Sequence, residues 1–294
     1  MKKIITLGLP SSGKSCYLGV AVGFMSRHKL YEMHKRNRDL SRVTDTIEGD
    51  MKAGKWVGKT TGRMEYQFTK KKKGWWKKVS WFDTEYILHD WNGEYFQLLG
   101  LDEDQAVKGW AKAQEYIDGK KVAGNELSDL YEADCRDADA ILLFIDGKTL
   151  IEKADDGESE KKRTRESLYT LVEILRQSRK ERVISIVLTK SDYLENYGEF
   201  LDTNRKINAK KVEDCLRDNY NSTFSEIESA GHKVHVSLVS CIPVKEHRSS
   251  LSGRGAVPNE KWSLKDLTKS NVNIYEDDLP NDMLAPIRWV IDNT

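Results

Sequence analysis

Short apolar runs rich in β-branched residues recur along the chain, at KIITLGL near its start and then at VSWFDT, AILLFID, VISIVLTK and KVHVSLVS. Each has the length of a single strand and is bounded by polar or turn-forming residues. Between most of them the period changes to that of a helix. In ESLYTLVEILRQSRK, Leu168, Leu171, Val172, Ile174 and Leu175 form an apolar stripe flanked by charges, as on a helix packed against a sheet. This alternation predicts an α/β fold of three layers, a mainly parallel sheet with helices on both faces and ligands at the carboxyl ends of the strands. GRMEYQFTKKKKGWWKKVSWFD departs from it, reading as two strands joined by a turn at Lys73 and Gly74, which puts one antiparallel edge strand before VSWFD. Residues 28–60 form a long, charged, partly helical stretch ending in AGKWVGKT, and EHRSSLSGRGAVPNEK reads as a polar loop. The chain closes in MLAPIRWVID, where Leu284, Ile287 and Ile291 share one helical face. The expected organisation is a single domain over 1–294, with a helical insertion at 28–60, an extended segment and helices over 84–137, and a loop and terminal helix over 243–294.

Composition narrows the setting. At 294 residues, with 38% hydrophobic and 32% charged positions, the chain can bury a substantial core under a well-solvated surface. A net charge of +1 gives no global electrostatic reason to expect nucleic acid or an anionic membrane as partner. The four cysteines, Cys16, Cys135, Cys215 and Cys241, lack the short paired spacing of zinc or dithiol sites and read as reduced structural thiols. Proline breaks the opening MKKIITLGLP before it reaches the length of a secretory signal, and no run approaches the roughly 20 apolar residues of a membrane helix. A soluble cytoplasmic protein is expected. KKKKGWWKK, within Lys70–Lys78, interleaves basic and aromatic residues; a solvated hairpin tip with lysines guarding an edge strand accounts for it better than a nucleic-acid or membrane surface.

The strongest chemical signal is ITLGLPSSGKSCYL. Gly8, Gly13, Lys14 and Ser15 fit the phosphate-loop pattern G-x-x-x-x-G-K-[ST] between a strand and a helix. The backbone from Ser11 through Ser12 and Gly13 to Cys16 would turn its N–H groups onto a polyphosphate at the positive end of the helix. Lys14 would neutralise the β- and γ-phosphates and the Ser15 hydroxyl would bind Mg2+. A magnesium nucleotide also calls for an acid near the metal, and Asp83 in VSWFDTEY is expected at the carboxyl end of its strand. In IVLTKSDYL, Thr189, Lys190 and Asp192 follow another apolar strand. A carboxylate there can accept from guanine N1–H and the 2-amino group, a donor pair that adenine lacks.

In their order these motifs resemble the TRAFAC-class GTPases with a Ras-like core, over residues 4 to about 242, with a layout similar to the prokaryotic double-GTPase-type family. The resemblance implies GTP and GDP as ligands and Mg2+ as cofactor. It makes 28–60 the first switch region, Thr60 the switch threonine on the metal (Thr61 being its rival), and 84–137 an extended second switch with helices. Lys14, Thr60 and Asp83 become the catalytic set, with Ser15, Thr60 and Asp83 around the metal. Ser240 and Cys241 in SLVSCIPV match the second base-binding loop; Ile242 stands where the class has lysine, which leaves only backbone contacts to carry over. The class has D-x-x-G after its metal acid, and counted from Asp83 that glycine is replaced by Tyr86 and the following water-orienting glutamine by Ile87. Slow hydrolysis accelerated by a protein activator, a dimer contact or a monovalent cation is the implied behaviour, with Glu85 read as solvated rather than as a base. A hydrolysis-deficient pseudo-GTPase acting as a nucleotide-dependent binding module is the alternative, supported by Tyr86 and Ile87; Asp192 disfavours an ATPase. A protein effector is the expected partner, and homodimerisation across the nucleotide face is common in the class. The apolar segment from Trp91 to Trp110 reads as core packing ahead of a nucleotide-controlled docking surface.

Overall fold

A computed structural model describes residues 1–27, 31–34, 63–70, 84–117, 120–151, 160–178, 180–239 and 284–294. Strand β1 (Lys2–Gly8) leads through the glycine loop into α1 (Lys14–Arg27), followed by β2 (Tyr31–Met33), β3 (Met64–Lys70) and β4 (Thr84–Asp90). Next come α2 (Gly93–Leu99), α3 (Glu103–Lys112), a small hairpin of β5 (Gln114–Ile117) and β6 (Lys120–Ala123), and α4 (Asn125–Asp137). The order then runs β7 (Ala140–Asp146), α5 (Glu160–Arg176), β8 (Val183–Thr189), α6 (Ala209–Asn219), α7 (Asn221–Ser229), β9 (Lys233–Leu238) and α8 (Ala285–Asn293). The main sheet has the order β2-β3-β4-β1-β7-β8-β9, parallel from β4 to β9 with an antiparallel edge, as the alternation predicts.

Burial explains the strand sequences. β7 and β8 are buried at every position, so AILLFID and VISIVLT run almost continuously apolar: both faces are covered. On β1, Ile4 joins Tyr17, Leu18 and Phe144 beneath α1, whereas Ile5 and Leu7 join Trp91, Phe96 and Leu168 on the opposite face. Leu284, at the N-cap of α8, and Ile287 and Ile291 on it are buried, in one cluster with Leu142 and Val187 of the sheet. Trp91, Tyr95, Phe96, Leu99 and Trp110 are buried as well, Tyr95 stacking on Trp110 at 5.3 Å, so this segment is core.

Two expectations change. The strand beside β1 is TEYILHD, with Lys2 opposite Tyr86 and Thr6 opposite Asp90, instead of one ending at Asp83. Tyr86, Ile87 and Leu88 supply the buried positions this slot requires, and β3 pairs along its whole length, Met64 with Asp90 and Lys70 with Thr84. The hairpin turn at Lys73 and Gly74 lies outside the described residues. A further three-residue strand, β2, pairs antiparallel to β3; a run that short has no readable period.

Candidate functional site

The loop after β1 is shaped by close approach. A Cβ on Gly8 would stand 2.7 Å from the Phe144 carbonyl oxygen, and Gly13 takes a φ of 81° with its Cα face against Thr189. Helix α1 starts at Lys14 with no acidic residue in its first turn, which leaves its positive end uncompensated beside the loop. Lys14 is buried, its ammonium 2.9 Å from Asp90 Oδ1 and donating to the Trp91 carbonyl. Thr6 Oγ1 donates to the same Asp90 oxygen at 2.7 Å. Asp90 Oδ2 and Ser12 Oγ are buried with no hydrogen-bond partner among the described residues.

The acid at the carboxyl end of the strand is therefore Asp90, correcting the assignment to Asp83, which itself lies outside the described residues. Asp90 opens Asp90-Trp91-Asn92-Gly93, the D-x-x-G spacing that was sought after Asp83. The signal was present in the sequence; the wrong strand ending hid it. Gly93 lies directly on the glycine loop, where a Cβ would come within 2.7 Å of Pro10 N and 2.9 Å of the Gly8 carbonyl oxygen. Asn92 accepts from the Glu94 N–H at 3.1 Å, capping α2, and the exposed Glu94 follows the glycine. Tyr86 and Ile87 replace nothing in this motif. They are strand core, Tyr86 stacked on Phe68 at 5.2 Å with its hydroxyl donating to the Ile291 carbonyl. Glu85 is exposed on β4 opposite Thr69.

The other edge of the loop meets β8. Thr189 Oγ1 donates to the Ser12 carbonyl, and at 3.2 Å to that of Ile145. Lys190, at a φ of 51°, donates to the Ser11 carbonyl at 2.8 Å and pairs with Asp146. Asp146 ends β7, is buried, and also accepts from the Lys148 N–H at 3.0 Å; the sequence reading missed it, although its signal is the acid closing AILLFID. Asp192 lies nearly buried in the 3-10 turn Ser191–Asn196. The structure thus brings Gly8, Ser11, Ser12, Gly13 and Lys14 together with Thr189 and Lys190. Ser15 and Cys16 lie in the first turn of α1. Thr60, Thr61, Ser240 and Cys241 lie outside the described residues.

Among the described residues no group of three or more His, Cys, Asp or Glu could cage a metal ion. Magnesium fits this site on other grounds. It is held through few protein oxygens, with waters and phosphates completing the shell, and the unpartnered Asp90 Oδ2 near the start of α1 is an oxygen of the right kind.

Behind the D-x-x-G loop lies a buried carboxylate. Asp134 of α4 accepts from Lys3 Nζ at 3.2 Å on one oxygen, and on the other faces His89 Nδ1 at 2.8 Å, Trp91 Nε1 at 3.0 Å and Arg63 at 3.4 Å. Burial raises its pKa, but the His89 hydrogen bond and the charges of His89, Lys3 and Arg63 outweigh that and bring it to about 2. A carboxyl lowered on folding stabilises the native state above its unfolded value and loses that contribution as pH falls through the folded one. Acid unfolding should therefore include a loss between the ordinary value of 3.8 and about 2, which Asp134→Asn removes; acid titrations of both proteins followed by near-ultraviolet circular dichroism check it.

A family model described as Double-GTPase 2 matches residues 119–251, less than half the chain, beginning beyond the glycine loop and taking in Thr189 to Asp192. Over those residues the chain is similar to the Double-GTPase 2 family. No curated protein matches it in sequence. Among solved structures it is similar to a signal recognition particle receptor SRb-GTP/SRX complex from Chaetomium thermophilum, at 13% identity and a TM-score of 0.41, covering 82% of this chain and 90% of that one. It is also similar to the Ski7 GTPase-like domain of S. cerevisiae bound to GTP, at 13% identity and a TM-score of 0.41, covering 88% of this chain and 47% of that one. Sup35 complexed with GDP matches at 14% identity and a TM-score of 0.33, with 81% and 36% covered. Likeness of this degree transfers no residue and no ligand. No helix among the described residues is long and apolar enough to cross a membrane.

Proposed function

We propose that this protein binds GTP with Mg2+ in the cytoplasm and hydrolyses it slowly to GDP and phosphate, acting as a switch that a protein effector or activator reads. The observation that carries the reading is the Lys14–Asp90 pair, which joins the glycine loop to D-x-x-G at the helix start. In this reading the amides from Ser11 to Cys16 cradle the phosphates. Lys14, already desolvated between Asp90 and the Trp91 carbonyl, meets the β- and γ-phosphates with little further loss of hydration. Ser15 and Thr60 hold the metal, and Asp90, in place of Asp83, orders its water shell through Oδ2. Magnesium held there would supply positive charge against the β- and γ-phosphates. Asp192 accepts from the guanine edge, Lys190 braces the loop beneath the base, and the backbone at Ser240 and Cys241 completes the base pocket.

The slow rate is expected because Glu94, a carboxylate, follows Gly93 where the class has a water-orienting glutamine. Catalysis here rests mainly on positioning and charge neutralisation, so that substitution leaves hydrolysis possible. Tyr86 and Ile87, which motivated the pseudo-GTPase alternative, belong to the core of β4, and that alternative now rests on Glu94. Nucleotide titration calorimetry and single-turnover phosphate release test the reading. GTP should bind at least about a hundredfold more tightly than ATP, since a site built to pair a buried acceptor rejects a base without the donors. Asp192→Ala should erase that preference, and Lys14→Ala should abolish phosphate release. Equal affinity for ATP and GTP, or release unaffected by Lys14→Ala, would sink the proposal.

A further inference from the structure

Trp91 is tied on two sides. Its carbonyl accepts from the phosphate-loop lysine, while its indole N–H donates to Asp134 Oδ2 at 3.0 Å. The same carboxylate oxygen faces His89, the residue before Asp90, at 2.8 Å and Arg63 at 3.4 Å; Lys3 of β1 takes the other oxygen. Arg63 also lies over the Trp91 ring, 5.6 Å from its centroid, and Glu65 lies 3.8 Å from its guanidinium and 3.5 Å from His89 Nε2. One buried carboxylate on α4 thus gathers β1, the residue leading into β3, the end of β4 and the D-x-x-G loop. Packing alone does not require this arrangement: the aromatic cluster of Trp91, Tyr95 and Tyr131 beside it could be buried without a charge.

We infer that Asp134 is a positioning residue, which through Trp91, His89 and Arg63 holds the Asp90–Gly93 loop in the form that accepts a nucleoside triphosphate and couples that loop to the start of β3. The inference rests on the GTP-binding reading of the same site and deepens it. The amides at the start of α1 serve the inner phosphates, whereas Lys14 and the D-x-x-G loop lie at the distal end. Misplacing the loop therefore weakens a triphosphate more than a diphosphate.

The test is calorimetric titration of the full chain with GDP and with a slowly hydrolysed GTP analogue. Asp134→Asn keeps the shape and removes the charge; Trp91→Phe removes only the N–H donor and part of the ring. Losing the charge-assisted hydrogen bonds that hold the loop should lower analogue affinity about tenfold while GDP affinity stays within about threefold, with a smaller change of the same sign for Trp91→Phe. Leu127→Ala, a buried truncation on the same helix away from this network, should lower the melting temperature and leave the ratio of the two affinities unchanged. An unchanged ratio in Asp134→Asn and Trp91→Phe overturns the inference, as does a ratio shifted equally by Leu127→Ala, which would make the role merely structural. Should Asp134→Asn fail to fold, Trp91→Phe decides. Binding of neither nucleotide by the unaltered protein would instead overturn the GTP-binding reading, a separate outcome.

Discussion

Asp90→Ala should reduce single-turnover GTP cleavage by about a hundredfold or more, the scale seen when one preorganised electrostatic partner is removed from a reacting centre. The loss has two sources. On the proposed reading the metal's water shell would lose its ordering oxygen, and Lys14, 5% exposed and 2.9 Å from Asp90, keeps a buried charge with no carboxylate beside it. Removing one partner of a buried ion pair costs about 3–5 kcal/mol, because the survivor stays desolvated. Urea unfolding of the nucleotide-free variant should show that penalty. Asp90→Asn should recover much of the stability, since Thr6 and Lys14 can still donate to the amide oxygen, but little of the activity. Asp83→Ala should behave like the unaltered protein in both measurements. The reverse pattern, with Asp83→Ala inactive and Asp90→Ala normal, would return the metal to Asp83.

Gly93→Ala is the second large effect. The added methyl would lie 2.7 Å from Pro10 N, 2.8 Å from the Leu9 carbonyl carbon and 2.9 Å from the Gly8 carbonyl oxygen. All three are backbone atoms of the glycine loop, so no side-chain rotation relieves the contact and the two loops must separate. Overpacking of this kind costs about 1–3 kcal/mol in stability. The functional loss should exceed the loss of stability, since the loop that moves is the one proposed to take the phosphates. Gly198→Ala is the matched control, with nothing within 4 Å of its Cβ. Paired denaturation midpoints and GTP affinities check both variants; a Gly93→Ala protein that binds GTP normally would show that this close approach is dispensable.

Much of this could be read without coordinates because it is local. Gly8, Gly13, Lys14 and Ser15 carry their spacing within one turn of chain, and β7 and β8 announce themselves as buried strands because both their faces are covered. Thr189 closes β8, and Lys190 and Asp192 follow it. The reading failed over VSWFDTEYILHD, where two acids, Asp83 and Asp90, each close an apolar run. Strand pairing decided between them, since β4 enters the sheet with Thr6 opposite Asp90 and Lys14 reaches that carboxylate. Asp134 and Asp146 left no local mark beyond their type. Their partners lie far along the chain, Lys3, Arg63, His89 and Trp91 for the first and Lys190 for the second.

Sequence alone determined that a strand, a glycine loop and a helix follow one another, that an acid follows a later strand, and that helices cover a mainly parallel sheet. Those properties depend on backbone preferences and on the period of burial, which act over a few residues. Only tertiary structure decided which acid faces the phosphate-loop lysine, that Gly93 lies on that loop, and that one buried carboxylate gathers four distant side chains. These depend on strand register and on contacts between segments far apart in the chain, where shifting a strand along its neighbour replaces the acid that reaches the site.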